Sequence, residues 1–290
     1  MVTGANKGIG LATVAAILKH HDDVSVVLGA RDPGRGVAAI ESLCRGQPAW
    51  ESRVELLEID VACRDSVLSA RDAALSRFGA DPAPIYGLVN NAGIGLGSDN
   101  MEAVLEVNTI GVKRVCDAFI PLIAPSGRII NVSSAAGPKF VSQCNPQRQH
   151  FFQDPAVEWS DIQGIIDEVL STRGDPERFR TLGLGDINAY GLSKACVSLY
   201  TLALARNNAH LYINACTPGY IETDLTRPQA RMRGVSPAEL GMKSPAHGTV
   251  SILSLLFDEP RGSGHYYGSD ARRSPLDSYR APGSAEYTGP

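Results

Sequence analysis

Along this chain, short apolar runs of strand length alternate with longer segments of helical period. After Met1-Val2, a glycine-punctuated turn leads into Ile9, Leu11-Ala12, Val14-Ala15 and Ile17-Leu18, apolar at helical intervals. The pattern predicts strand end, glycine loop and helix. Further strands are expected at Val24 to Leu28, Val54 to Ile59, Ile85 to Val89, Arg128 to Val132 and Leu211 to Ala215, with a short last one at 264–268. Helices are expected over 64–78, 101–123 and 245–257, and from Tyr190 through the apolar run Val197 to Ala205. Near-continuous apolar strands separated by helices predict a parallel sheet covered on both faces, in a single doubly wound α/β domain.

The alternation breaks at about 138–187, an insertion of mixed polarity. Within it Ser160-Asp161-Ile162-Gln163 reads as a capping box, and Ile162, Ile165-Ile166 and Val169-Leu170 place one apolar face on a helix of about three turns. Its flanks, 139–154 and 171–186, read as loops. Residues 221–243 read as a mobile substrate lid. The domain is expected over 1–268, and 269–290, rich in Gly, Pro, Ser and Arg, as a poorly ordered tail.

Candidate chemistry collects where the strands end. Gly4, Asn6, Lys7, Gly8, Ile9 and Gly10 form the first turn, where glycines let a diphosphate approach the backbone and helix amides favour its charge. After the second strand come Arg31, Asp32 and Arg35; with Lys7, three cations near one spot favour the 2′-phosphate of NADP(H), and Asp32 complicates that preference. Asp60-Val61 closes the third strand and offers a carboxylate to an adenine amino group. Asn90-Asn91-Ala92-Gly93 closes the fourth with small and amide side chains suited to close cofactor packing, and Ser133-Ser134 closes the fifth. Pro218-Gly219 closes the sixth. Ligands of open parallel sheets bind beyond these strand ends.

Tyr190 and Lys194 share one helical face. A tyrosine needs a preference of roughly 4 kcal/mol for its phenolate to exchange protons near neutrality. A lysine at ~4 Å supplies about that at an effective dielectric near 20. The pair therefore reads as an acid/base device for a carbonyl oxygen or an alcohol. Asn108, unfavourable inside a helix, is expected to have a task of its own.

A net charge of -4 argues against nucleic acid or an anionic membrane surface as partner. Six cysteines and six histidines show neither C-x-x-C nor H-x-x-x-H spacing, so no metal site is expected. No apolar run approaches a membrane span, and a cytoplasmic location is the default.

Thr3-Gly4-x-x-x-Gly8-x-Gly10, Asp60, Asn90-Asn91-Ala92-Gly93, Asn108, Ser134, Tyr190-x-x-x-Lys194 and Pro218-Gly219, in this order, resemble the short-chain dehydrogenase/reductase family. With Ala30-Arg31-Asp32, Lys7 and the insertion, the chain is similar to its NADPH-dependent carbonyl reductase branch. The resemblance implies a Rossmann-type fold and reduction of ketones, aldehydes or quinones. Tyr190 would then be the general acid and Ser134 the substrate-oxygen partner, with Lys194 holding the nicotinamide ribose and lowering the Tyr190 pKa. Asn108 would position a proton-relaying water. The resemblance also implies a monomer, because the insertion covers the surface through which other members tetramerise. Its alternatives are an alcohol or hydroxysteroid dehydrogenase working oxidatively, or an inactive NADP(H)-binding sensor. One departure stands out: only Met1 and Val2 precede the glycine loop, so a truncated, weak first strand and lowered stability are expected.

Overall fold

The first strand is one residue long. In the computed structural model, which describes residues 1–95 and 100–289, Val2 makes parallel bridges to Leu28 on one side and Val89 on the other. Val2 N–H donates to Val27 O (3.0 Å) and Gly29 N–H to Val2 O (2.8 Å); opposite, Thr3 N–H donates to Val89 O (3.0 Å) and Val89 N–H to Met1 O (2.9 Å). This seam joins two pieces of sheet. One holds β1 (Val26–Ala30) and β2 (Val54–Glu58), the other β3 (Ile85–Asn90), β4 (Ile123–Val132), β5 (Tyr212–Cys216) and β6 (Tyr266–Tyr267). All named strand pairs are parallel. The chain winds from Val2 to β1 and β2, then returns to β3 on its other side, so the switch point with its crevice lies directly above the glycine loop.

On one face α1 (Gly8–His20), α2 (Pro33–Gly46) and α12 (Val250–Phe257) enclose a core that includes Val14, Leu18, Leu28 and Ile252. On the other, α3 (Arg64–Phe78) and α10 (Ala189–Asn207) pack with Val67, Val115, Phe119, Ile129 and Leu199. The helix expected over 101–123 is broken instead into α4 (Met101–Leu105), a π-helical turn at Glu106–Ile110, α5 (Gly111–Phe119) and a 3-10 turn at Ile120–Leu122, with β4 beginning at Ile123. The wide turn carries buried Asn108 and Thr109, whose side chains bond sideways to Ser193 on α10. Such π-turns occur where a side-chain task competes with the regular ladder.

The insertion is more helical than expected: α6 (Ala136–Val141), α7 (Pro146–Phe151), α8 (Trp159–Ser171) and α9 (Pro176–Thr181). Asn145 and Asp175 cap α7 and α9, each followed by a proline at the first helical position. The cap of α8 lies two residues earlier than the expected box, with the Asp161 carboxylate accepting from Glu158 N–H at 2.8 Å. Phe140, Phe152, Ile162, Ile166 and Phe179 bury these helices into the domain core, a long-range gain that local polarity does not report.

Residues 221–243 contain α11 (Arg227–Arg233) and are pinched at the base by an Ile221–Lys243 bridge. The expected loose tail is a correction, apart from Pro290, which lies outside the described residues. Ser274 N–H donates to Tyr266 O and Gly268 N–H to Arg272 O, both at 2.8 Å, and Arg273 bridges Tyr267 in antiparallel fashion. Nearly buried Arg280 pairs with Asp270 and donates to Ser274 Oγ at 2.9 Å. The open edge of β6 and two ion pairs, Arg280–Asp270 and Arg261–Glu286, order a segment with little apolar content. Among the described residues no helix is long and apolar enough to cross a membrane.

Candidate active site

Two adjoining clefts meet above the switch point. The larger, of about 990 Å³, is lined by Gly4, Asn6, Lys7, Gly8, Ile9, Arg31, Arg35, Asp60, Val61, Asn91, Ala92 and Gly93, all expected cofactor contacts. The second, of about 720 Å³, is lined by Ser134, Tyr190, Pro218 and Gly219, with Ile9 shared between the two. Pro218 and Gly219 thus fall on the side where substrate would enter.

Backbone proximity explains the glycines. A Cβ on Gly10 would lie 2.5 Å from Asn91 Nδ2 and 2.7 Å from Gly4 O; Gly8 adopts φ +57°, which favours glycine. Gly10 faces no cleft but packs the loop against the end of β3. Thr3, the first residue of the glycine motif, sits at this junction: its Oγ1 accepts from Asn91 N–H (3.0 Å) and Ala92 N–H (3.1 Å). Asn91 Nδ2 donates back to Thr3 O and Gly4 O, so its amide shapes the loop. Lys7, the N-cap of α1, provides no side-chain cap, and Gly8 and Ile9 of the first turn line the cleft.

The three expected phosphate cations are unequal. Arg31 has no ion pair among the described residues. Arg35 lies 3.6 Å from Asp32, which also caps α2 by accepting from Arg35 N–H. Lys7 is paired with Asp224 of the 221–243 segment at 2.7 Å. One carboxylate oxygen of Asp60 accepts from Ala62 N–H at 3.0 Å, and Val61 O takes a hydrogen bond from Arg114 at 2.6 Å.

On the catalytic side, Asn188 caps α10 by accepting from Gly191 N–H at 2.8 Å, fixing Tyr190 in the first turn. Ser133 points inward, its buried hydroxyl bonded to Lys194 O and Ser198. Ser134 faces the cavity and the Tyr190 phenol, as strand alternation requires. Burial raises the Tyr190 pKa above the ordinary value, opposed by the hydrogen bond with Ser134. This corrects the expectation of a pKa lowered by Lys194. The reason is geometric: the Lys194 ammonium donates to Val132 O at 2.8 Å and lies 5.7 Å from the centre of the Tyr190 ring.

Burial pushes Lys194 down to about 8. Only one of its three donors meets a protein acceptor among the described residues, although the side chain is buried. A Cβ on Gly93 would lie 3.6 Å from this ammonium, which places it at the border of the larger cleft. The first turn of α1, unpaired Arg31 and a buried ammonium with donors to spare all fit a phosphorylated dinucleotide.

The Asn108 carboxamide is occupied by protein. Oδ1 accepts from Ile94 N–H (2.9 Å), and Nδ2 donates to Ile94 O and Ser193 Oγ, both at 3.0 Å. Ser193 Oγ in turn donates to Tyr190 O at 2.8 Å. Asn108 therefore ties the end of β3 to the turn bearing Tyr190, and its amide has no proton left for a relaying water.

A family model described as short chain dehydrogenase matches residues 1–145. Carbonyl reductase (NADPH) 1 of Sus scrofa is 31% identical over 276 residues, covering 90% of this chain and 89% of that protein. Carbonyl reductase (NADPH) 3 of Rattus norvegicus is 31% identical over 275 residues, covering 90% and 93%. Among solved structures, salutaridine reductase from Papaver somniferum superposes with a TM-score of 0.75 at 25% identity, over 92% of this chain and 98% of that one. The matched first half holds the glycine loop and Ser134, and the relatives extend the likeness through Tyr190 and Lys194; the chain belongs to the short chain dehydrogenase family.

Proposed function

We propose that this oxidoreductase reduces the carbonyl group of a small molecule to an alcohol with NADPH, Tyr190 acting as general acid. The observation that carries the reading is the convergence of the Ser134 and Tyr190 hydroxyls on one cavity, directly beside a cleft suited to a dinucleotide. NADPH, when bound, supplies the hydride that the carbonyl carbon accepts. Ser134 Oγ–H donates to the carbonyl oxygen as negative charge grows there. The Tyr190 hydroxyl delivers the proton that completes the alcohol. The phenol is in its protonated, donating form at neutral pH. Lys194 brings positive charge to the phenolate left behind, and Asn108 and Ser193 hold the geometry.

We read the chain further as a cytoplasmic monomer. All six cysteines are free thiols, which suits a reducing compartment. Trp159 of α8 packs edge-on against Tyr200 at 5.4 Å, so the insertion covers one side of α10.

Tyr190→Phe is the test. It should lower kcat by roughly 10²–10⁴-fold, the usual worth of a positioned acid, while fluorescence titration shows NADPH binding little changed. Turnover that survives the substitution would remove the mechanism.

A further inference from the structure

The walls of the catalytic cavity carry charge of one sign. Lys139 of α6, Arg233 at the end of α11, Lys243 at the base of the lid and Arg280 of the C-terminal segment line it, and among the described residues no aspartate or glutamate does. The chain as a whole has 31 acidic against 27 basic residues, so the cavity departs from the balance of the molecule. Arg280 is already neutralised by Asp270. The other three have no ion pair among the described residues.

The acids nearest to Arg233 and Lys243 in sequence are committed elsewhere. Glu222 and Asp224 pair with Arg227 at 3.0 and 2.9 Å, and Asp224 also with Lys7, at the cofactor cleft. Glu239 accepts from Ser236 Oγ at 2.7 Å. Lys139 is steadied by an aromatic face, its Nζ 4.4 Å from the centre of the Tyr279 ring. That contact joins the insertion to the C-terminal segment across the cavity mouth. Cations on a concave wall focus their field and raise the local concentration of an anion.

We propose that the substrate class is a carbonyl compound carrying a carboxylate. Its C=O meets Ser134 and Tyr190, and its carboxylate lies toward Lys139, Arg233 and Lys243. This rests on the carbonyl-reduction reading above. The carboxylate is a spectator: the carbonyl carbon gains a hydride, its oxygen a proton, and no bond to the anionic group changes.

The test compares 3-(4-formylphenyl)propanoate with its methyl ester, whose two-carbon spacer separates an identical aldehyde from the charge. Three rim cations should together give the acid about a tenfold higher kcat/KM at low ionic strength, expressed in KM. Raising the salt toward 1 M, where the Debye length is about 3 Å, should erase most of that advantage in the unmodified enzyme. In a Lys139→Gln, Arg233→Gln, Lys243→Gln variant, with folding checked by NADPH titration, the acid-to-ester ratio should fall toward one. An ester reduced as well as the acid at low salt, or a ratio indifferent to both salt and substitution, would overturn the inference and leave carbonyl reduction standing. NADPH oxidation with neither compound would instead remove the carbonyl-reduction reading on which the inference rests.

Discussion

The cofactor cleft and the catalytic cavity adjoin each other but are built by different means. The first is shaped largely by main chain at strand ends: the glycine loop, Thr3, and the Asn91-Ala92-Gly93 turn lie so close that a Cβ on Gly10 would fall 2.7 Å from Gly4 O. The second is walled by side chains from α6, the lid segment and the C-terminal segment, far apart in sequence. Backbone packing restricts residue type at fixed spacing and so leaves a motif. Side-chain walls tolerate many residues at many spacings and leave none. Within the cavity the glycines differ: a Cβ on Gly241 would meet nothing within 4 Å, whereas one on Gly268 would run into the Arg280 side chain.

Gly10→Ala gives the largest expected effect on this contrast. Overpacking against backbone costs about 1–3 kcal/mol, and displacement of the loop should abolish measurable NADPH binding in a fluorescence titration. Gly241→Ala, strained only by its φ of +80°, should cost about 1–2 kcal/mol in urea unfolding and leave NADPH affinity in place. Equal loss of NADPH affinity in both would break the distinction between the clefts.

Arg31→Asp sharpens it. The ratio of NADPH to NADH affinity should fall by roughly 10–100-fold, as expected for losing a charge-assisted contact of about 1.5–3 kcal/mol. If both cofactors weaken alike, the phosphate is held elsewhere.

The smallest effect concerns pH. Lys194 titrates near 8 in the fold against an ordinary 10.5. Between those values the unfolded chain binds more protons than the native one, so this group makes stability rise with pH through that window. Buried thiols such as Cys116, pushed up to about 12, act oppositely above their ordinary value. The wild-type minus Lys194→Met difference in unfolding free energy should therefore rise by about 1–2 kcal/mol between pH 8 and 9.5. A flat difference would mean that Lys194 is not buried as a cation beneath the cofactor cleft.

Much of this was legible before folding. The strand and helix alternation, the helix at Arg64–Phe78, and the gathering of Gly4, Arg31, Asp60, Gly93 and Ser134 at strand ends follow from periodicity and from Cβ alternation. The helices capped by Asn145 and Asp175 read as loop from the surrounding polarity, although a cap residue followed by proline marks the start of each. The direction of the Tyr190 shift was not legible, because residue spacing places two side chains on one face without stating where a flexible lysine ends. The Val132 carbonyl decides that.

The doubly wound fold and the dinucleotide loop were readable from sequence alone, because each is a local constraint on backbone conformation or periodicity. Only the tertiary structure decided that Asn108 sits in a π-turn clamping Ile94 and Ser193, that Lys7 pairs with Asp224, and that the C-terminal segment closes the cavity with Tyr279 and Arg280. Those are contacts between residues tens to hundreds of positions apart. Their free energy depends on distance and burial in space, quantities that spacing along the chain does not encode.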